Sequence, residues 1–218
     1  MQCKELKGLG DFIIDQTTYK EALKDNNITK PDMLKHSSFS SGFWEVSVID
    51  AWGADYDRYE MATYVEKQAT AIKQLEVSDD IYKYKVGEIE IENISLAFYR
   101  DTLVAISFDC TSQILNHYIS KYGDGKGKYY DYKELRGKNY YKHIHEEERL
   151  WTNNILTMEY KDVCNMLTTK NEDTYTAYTT CIIYSNSKYN KFVNELDKAK
   201  EAYRKDKEAK VDASLNSL

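Results

Sequence analysis

Residues 82–123 constrain the fold more than any other stretch of the chain. Tyr82 to Ile91, Ile94 to Phe98 and Leu103 to Phe108 alternate apolar with polar side chains, the period that buries one face of a strand. Turn residues fall between them at Glu92-Asn93 and Arg100-Asp101. After Asp109 the spacing becomes helical. Thr111 or Ser112 supplies the cap, Ile114, Leu115, Tyr118, Ile119 and Tyr122 share a face, and Gly123 offers a left-handed terminus. The pattern predicts an antiparallel β-meander followed by a covering helix.

The same order recurs downstream. Strands are predicted over 143–151, 155–167 and 174–184, with turns at Thr152-Asn153-Asn154 and Lys170-Asn171-Glu172-Asp173. A helix after Ser187 then brings Phe192, Leu196, Ala199 and Tyr203 to one side. Residues 82–123 and 143–205 therefore both read as three strands and a helix, which suggests a structural duplication without a residue-level repeat. The fold class is α+β, antiparallel meanders each followed by a covering helix. Residues 1–205 form one globular domain, with halves at 1–125 and 126–205, and residues 206–218, which lack an apolar face, are a frayed tail.

Upstream the pattern is sparser. Asp11 to Asp15 reads as a short strand, and Thr18 with Glu21 makes a capping box for a helix ending before Pro31. Phe39 to Trp52 favours a strand. Residues 55–76 fit either an apolar helical stripe (Met61, Val65, Ala69, Ile72, Leu75) or one face of a strand. The lack of a turn signal favours the helix.

Composition narrows the class. A chain of 218 residues buries roughly 70% of its unfolded surface, enough for a core without metal or disulfide staples. No apolar run approaches the ~20 residues of a membrane helix. Twenty Tyr against six Phe fits half-buried strands, where the ring packs and the hydroxyl reaches water. Met1-Gln2-Cys3 opens without a basic and apolar leader. Cys3 is either a lipidation site left by a trimmed leader or an incidental exposed thiol.

The strand, short turn and Thr-initiated helix at Ile13-Ile14-Asp15-Gln16-Thr17-Thr18, with the later meander and Lys121-Tyr122-Gly123, resemble small bacterial envelope lipoproteins of the BamE-like and β-lactamase-inhibitor-like type. The resemblance touches about a third of the chain, and Asp15 stands where those families carry glycine. It implies a non-enzymatic envelope role through binding other proteins, and it transfers no site.

Four chemistries can be weighed against the residues. On a strand, His143, His145 and Glu147 share a face and make a donor set suited to zinc or ferrous iron, but Arg149 shares it and opposes a divalent ion. His36 and His117 are the other imidazoles. Gly123-Asp-Gly-Lys-Gly127 follows a helix rather than a strand and lacks Gly-Lys-Ser/Thr, so it is a helix-terminating loop and not a phosphate cradle. As a calcium loop it puts Lys126 and Lys128 at ligand positions. No Gly-x-Ser-x-Gly occurs, and Cys110 and Cys164 read as strand residues rather than nucleophiles. No catalytic residue and no cofactor is expected.

Residues 121–143 hold seven cations against three carboxylates, with six tyrosines interleaved, inside a chain of net charge -6. They read as a solvated loop, or as a site for an anionic or carbohydrate ligand built from Lys126, Lys128, Tyr129, Tyr130, Arg136 and Tyr140. The acidic remainder argues against general nucleic-acid binding. The expectation is thus a non-enzymatic envelope, periplasmic or secreted protein whose partner is another protein and whose only membrane contact is a lipid anchor at Cys3. The alternatives are a cytoplasmic location and a ligand-binding or hydrolytic protein using the 121–143 segment. A hairpin turn centred between Glu172 and Asp173 makes Cys164 and Cys181 face one another, a geometry compatible with a disulfide.

Overall fold

The computed structural model of the protein describes residues 6–24, 28–29, 64–65, 67–77, 84–136, 140–169 and 173–215. Cys3, Pro31, His36, the strand expected over Phe39 to Trp52, and residues 55–63, 170–172 and 216–218 lie outside them.

In chain order the elements are β1 (Gly8–Leu9), β2 (Phe12–Ile13), α1 (Tyr19–Ala22), β3 (Ile28–Thr29), β4 (Ile72–Val77), β5 (Tyr84–Val86), β6 (Ile89–Ile91), β7 (Ser95–Tyr99), β8 (Thr102–Asp109), α2 (Ser112–Tyr122), β9 (Lys126–Leu135), β10 (Tyr141–Thr152), β11 (Leu156–Thr168), β12 (Asp173–Ser185) and α3 (Tyr189–Leu215). The architecture is α+β and its strand pairs are antiparallel. Among the described residues eight strands make the main sheet in the order β3-β4-β7-β8-β12-β11-β10-β9, while β1-β2 and β5-β6 are separate hairpins. After β8 the chain crosses through α2 to the far edge of the sheet, and the meander β9 to β12 walks back until β12 closes against β8.

Local chemistry explains the boundaries that the sequence located. Arg100 and Asp101 both take positive φ, 49° and 67°, the two-residue turn whose twist suits a tight hairpin between β7 and β8. The capping box forms at Thr18, whose side chain accepts from the Glu21 amide while the Glu21 carboxylate accepts from the Thr18 amide. Thr111 caps α2 and Gly123 ends it at φ 81°. Asp15 adopts φ 65°, ion-pairs with Lys188 at 2.9 Å and accepts a hydrogen bond from Ser185.

Alternation then decides the layers. Leu96, Phe98, Ile106 and Phe108 point to one face, where Ile114 and Tyr118 of α2, Trp151 and Met158 complete a core. Ala97, Val104 and Ala105 point to the other, where Phe192, Leu196, Ala199 and Tyr203 of α3 close a second core. Strands β7 and β8 are covered on both sides, so Leu96 to Phe98 and Leu103 to Ile106 have no exposed surface. The side chains that β7 and β8 turn towards α3 include the small Ala97 and Ala105.

Several expectations are corrected. Residues 84–91 do not form one strand of the meander: Gly87 at φ 64° folds them into the separate β5-β6 hairpin. Residues 55–76 are not one helix, because helical turns at Tyr64-Val65 and 67–68 give way to β4, where Ile72 and Leu75 are buried on opposite faces of the sheet. The period-2 reading wins there because β7 offers a partner edge, which local spacing cannot report. Helix α3 lies across β4, β7 and β8 rather than over the meander that precedes it. It also continues past residue 205 to Leu215, with Lys205 and Lys210 ion-paired one turn back to Glu201 and Asp206. Residues 126–135 are the strand β9, not a loop: Gly125 at φ 73° turns the chain out of α2, and the segment that follows pairs along its length with β10.

The β11-β12 register also departs from expectation. Residue numbers of facing pairs sum to 341, not 345, so Cys164 faces Ala177 and Cys181 faces Tyr160. Cys164 and Cys181 are therefore not joined. Cys181 forms a disulfide with Cys110, just beyond the end of β8, with Cα atoms 5.3 Å apart, and Cys164 is a free thiol.

Candidate functional site

Helix α3 covers β4, β7 and β8, away from the outer strands β9 to β11. Trp151, Met158, Cys181 and Ile183 are buried, but towards the hairpin tips of β9 to β12 the side chains become half-buried or exposed on both faces. The stretch of β11 from Tyr160 to Thr168 extends roughly 27 Å at about 3.4 Å per residue. Among the described residues no helix covers this part of the sheet, here called the wing.

Alternation and register define its two faces. One face carries Tyr129, Asp131 and Lys133 of β9, His143, His145, Glu147 and Arg149 of β10, and Asp162, Cys164 and Met166 of β11. The other carries Lys126, Lys128, Tyr130 and Tyr132 beside Ile144, Glu146 and Glu148. Large aromatic surface is exposed here, with Tyr129 66% and Tyr175 63% accessible. Tyr130 and Tyr132 stack with ring centroids 6.4 Å apart.

The strand does bring His143, His145 and Glu147 to one face, together with Arg149. Each turns to a different partner: His143 Nε2 lies 3.2 Å from Asp131, His145 Nε2 lies 3.8 Å from Asp162, and the Arg149 Nε donates to Glu147 at 2.6 Å. Their donor atoms diverge, and among the described residues no three His, Cys, Asp or Glu side chains converge on a point.

The basic and aromatic ligand set is likewise dispersed. Lys126, Lys128 and Tyr130 lie on one face, Tyr129 on the other, and Arg136 and Tyr140 at the tip, where the guanidinium stands 5.9 Å from the ring centroid. Lys128 pairs with Glu148 at 3.7 Å, and Arg136 with Glu134. The Tyr132 hydroxyl donates to Glu134 at 3.0 Å, a bond that raises the phenol and holds the Glu134 carboxyl below its ordinary range, with Arg136 adding to the second effect. Across the β9-β10 ladder opposite charges face one another at Lys128 and Glu148 and at Glu134 and Lys142, a match invisible until the register was known.

Strand β9 is the last in the sheet order, and among the described residues nothing pairs with its outer edge. Every second residue of this ten-residue strand turns its backbone donor and acceptor to that edge, which is flanked by Lys126, Lys128 and Lys133.

A concave site lies elsewhere. The β1-β2 and β5-β6 hairpins stand against α2 and enclose a cavity of about 460 Å³. Phe12 and Tyr84 stack at 5.3 Å to join the hairpins, and the Tyr84 hydroxyl donates to the Leu9 carbonyl at 3.3 Å and accepts from the Asp11 amide at 3.1 Å. Gly10, at φ 56°, is required: a Cβ there would lie 2.2 Å from that hydroxyl. Sequence reasoning missed this pocket because its walls come from segments some 75 residues apart, and no local signal brings the two together.

No protein-family model, no curated protein and no solved structure matches this chain.

Proposed function

We propose that this is a non-enzymatic binding protein that captures an extended, acidic segment of a partner protein along the outer edge of β9. The open ten-residue edge carries the reading, since a strand added there satisfies the unpaired backbone groups of β9. Lys126, Lys128 and Lys133 supply the selection. Lysines on an exposed edge repel unwanted strands, and Lys126 and Lys128, which share a face, favour a partner with carboxylates at alternate positions. Strand β10 is the template for that chemistry, with Glu146, Glu147 and Glu148 facing Tyr130, Tyr129 and Lys128 across the inner edge.

Location in the cell envelope or outside the cell belongs to the same proposal, with Cys3 as a lipid anchor. The Cys110–Cys181 bond supports it, because disulfides persist in oxidising compartments. On this reading the duplication expected from the sequence is one of element order, strands then helix, put to two uses: the first unit builds the core and the second extends into the wing.

The test is titration of the protein with a synthetic peptide of the β10 sequence from Lys142 to Leu150. Saturable binding that weakens at least tenfold on Lys126→Glu with Lys128→Glu, with strand content retained by circular dichroism, is the expected result. Binding unaffected by the double reversal would overturn it. So would concentration-dependent self-association in sedimentation that blocks the peptide, since the occupant of the edge would then be a second copy.

A further inference from the structure

The pocket between the two small hairpins and α2 goes beyond the edge reading, and it has a charge pattern of its own. Its walls are apolar: Leu9, Ile13, Ile89, Ile91 and Ile114 face into it. Its polar side chains are cationic or ionisable to cations and tyrosyl. Lys7, His117 and Lys121 are solvent-exposed, and among the described residues no carboxylate lines it. In a chain with more acidic than basic residues, a wall set with two lysines and a histidine and no acid is a local reversal of sign. His117 and Lys121 stand one turn apart on α2, so both reach the same side of the opening. Lys7 approaches from the segment leading into β1.

We infer that this pocket binds a single-chain amphiphile with an anionic head, of which a straight-chain carboxylate is the simplest. About 460 Å³ lies within the range of roughly 300 to 1,000 Å³ common to small-molecule sites, and suits one alkyl chain rather than the two of a diacyl lipid. The apolar walls take the chain, and Lys7 and Lys121 hold the head at the water boundary, where their own stems lie on apolar surface and their ammonium groups stay hydrated. Tyr84 clamps the two hairpins, so the cavity exists before the ligand arrives and little ordering opposes binding. The ligand source is the monomer in solution, since the pocket admits one chain end and presents no flat basic face to a bilayer.

The experiment is calorimetric titration with octanoate, decanoate and dodecanoate below their micelle concentrations, with dodecyltrimethylammonium as the charge-reversed control. One-to-one binding is expected, tightening roughly three- to four-fold for each added methylene. Lys7→Glu with Lys121→Glu should weaken dodecanoate tenfold or more without changing the melting temperature, because both side chains are exposed. Ile89→Asp should abolish binding while leaving the β10 peptide titration unchanged, which separates failure of this site from failure of the edge. No saturable dodecanoate binding, or equal binding of the cationic amphiphile, would overturn the inference. Association with phosphatidylglycerol vesicles in the absence of monomer binding would overturn it as well.

Discussion

Cys110 and Cys181 lie with Cα atoms 5.3 Å apart and tie the exit of β8 to the middle of β12 across 71 residues of sequence. Both are buried, and Cys181 faces Phe108 across the β8-β12 ladder that joins the two halves of the main sheet. Closing a loop of that length removes denatured-state entropy worth about 4 kcal/mol on the chain-entropy model. Reduction should lower the urea midpoint accordingly, and alkylation of unreduced, unfolded protein should modify Cys164 but neither Cys110 nor Cys181. Labelling of all three without reductant would show that the bond does not form.

Asn153 turns the chain between β10 and β11 and ties down two distant segments. Its Oδ1 accepts from the amides of Ile155 and Leu156 at 2.8 and 2.7 Å, its Nδ2 donates to the Leu6 carbonyl at 3.2 Å, and its carbonyl accepts from Asn186. Asn153→Ala should therefore cost about 2 to 3 kcal/mol, roughly 1 kcal/mol per side-chain bond lost. Asn153→Asp keeps the acceptor, and should cost about half as much. Equal urea midpoints for the Ala variant and the parent protein would contradict this account.

That contrast explains how much of the fold was legible. Thr152-Asn153-Asn154 announced a turn, and the alternation on either side announced strands, because both signals are local and repeated. The contact from Asn153 to Leu6, 147 residues away, has no local trace. The β11-β12 register failed for the same reason: facing pairs sum to 341 rather than 345, which puts Cys181 opposite Tyr160, and no local pattern in either strand distinguishes the two sums. Strand β9 was missed because Lys and Tyr alternate on both of its faces, so no apolar face marks it as a strand. Its pairing with β10 is carried by cross-strand partners such as Lys128 and Glu148. Of the candidate sites, the shared face of His143, His145, Glu147 and Arg149 followed from period 2, whereas the pocket required two hairpins to meet α2.

Gly125 offers a sharper test of the link between α2 and β9. It takes φ 73°, and an added Cβ would lie 2.9 Å from the Trp151 ring and 3.0 Å from the Leu150 carbonyl. The same ring is held by a 2.7 Å hydrogen bond from its Nε1 to the Gly123 carbonyl. Gly125→Ala should cost about 2 kcal/mol or more, part from the left-handed backbone and part from displacing a buried ring. Trp151 fluorescence should shift to the red as the indole gains water. An unshifted spectrum with an unchanged melting temperature would show that the turn relaxes freely.

Alkaline titration probes the tyrosines through burial. Tyr160 and Tyr189 are both pushed up to about 12, chiefly because burial disfavours the phenolate, with nearby Asp162 adding at Tyr160 and Glu159 at Tyr189. Burial drives Tyr118 higher still. In the unfolded chain each of these phenols ionises near about 10. The folded state therefore keeps protons that the unfolded state loses, so their contribution to stability is complete below pH ~10 and is lost as pH rises towards 12. The slope is at most about 1.4 kcal/mol per pH unit for each group. Absorbance near 295 nm should rise in two stages, a reversible one from exposed phenols and a later, cooperative one that coincides with loss of the folded circular dichroism signal. Tyr189→Phe should move that second stage to higher pH, because one group that favours unfolding at alkaline pH has been removed. A single smooth titration with folded structure intact above pH 12 would mean that these rings are open to solvent.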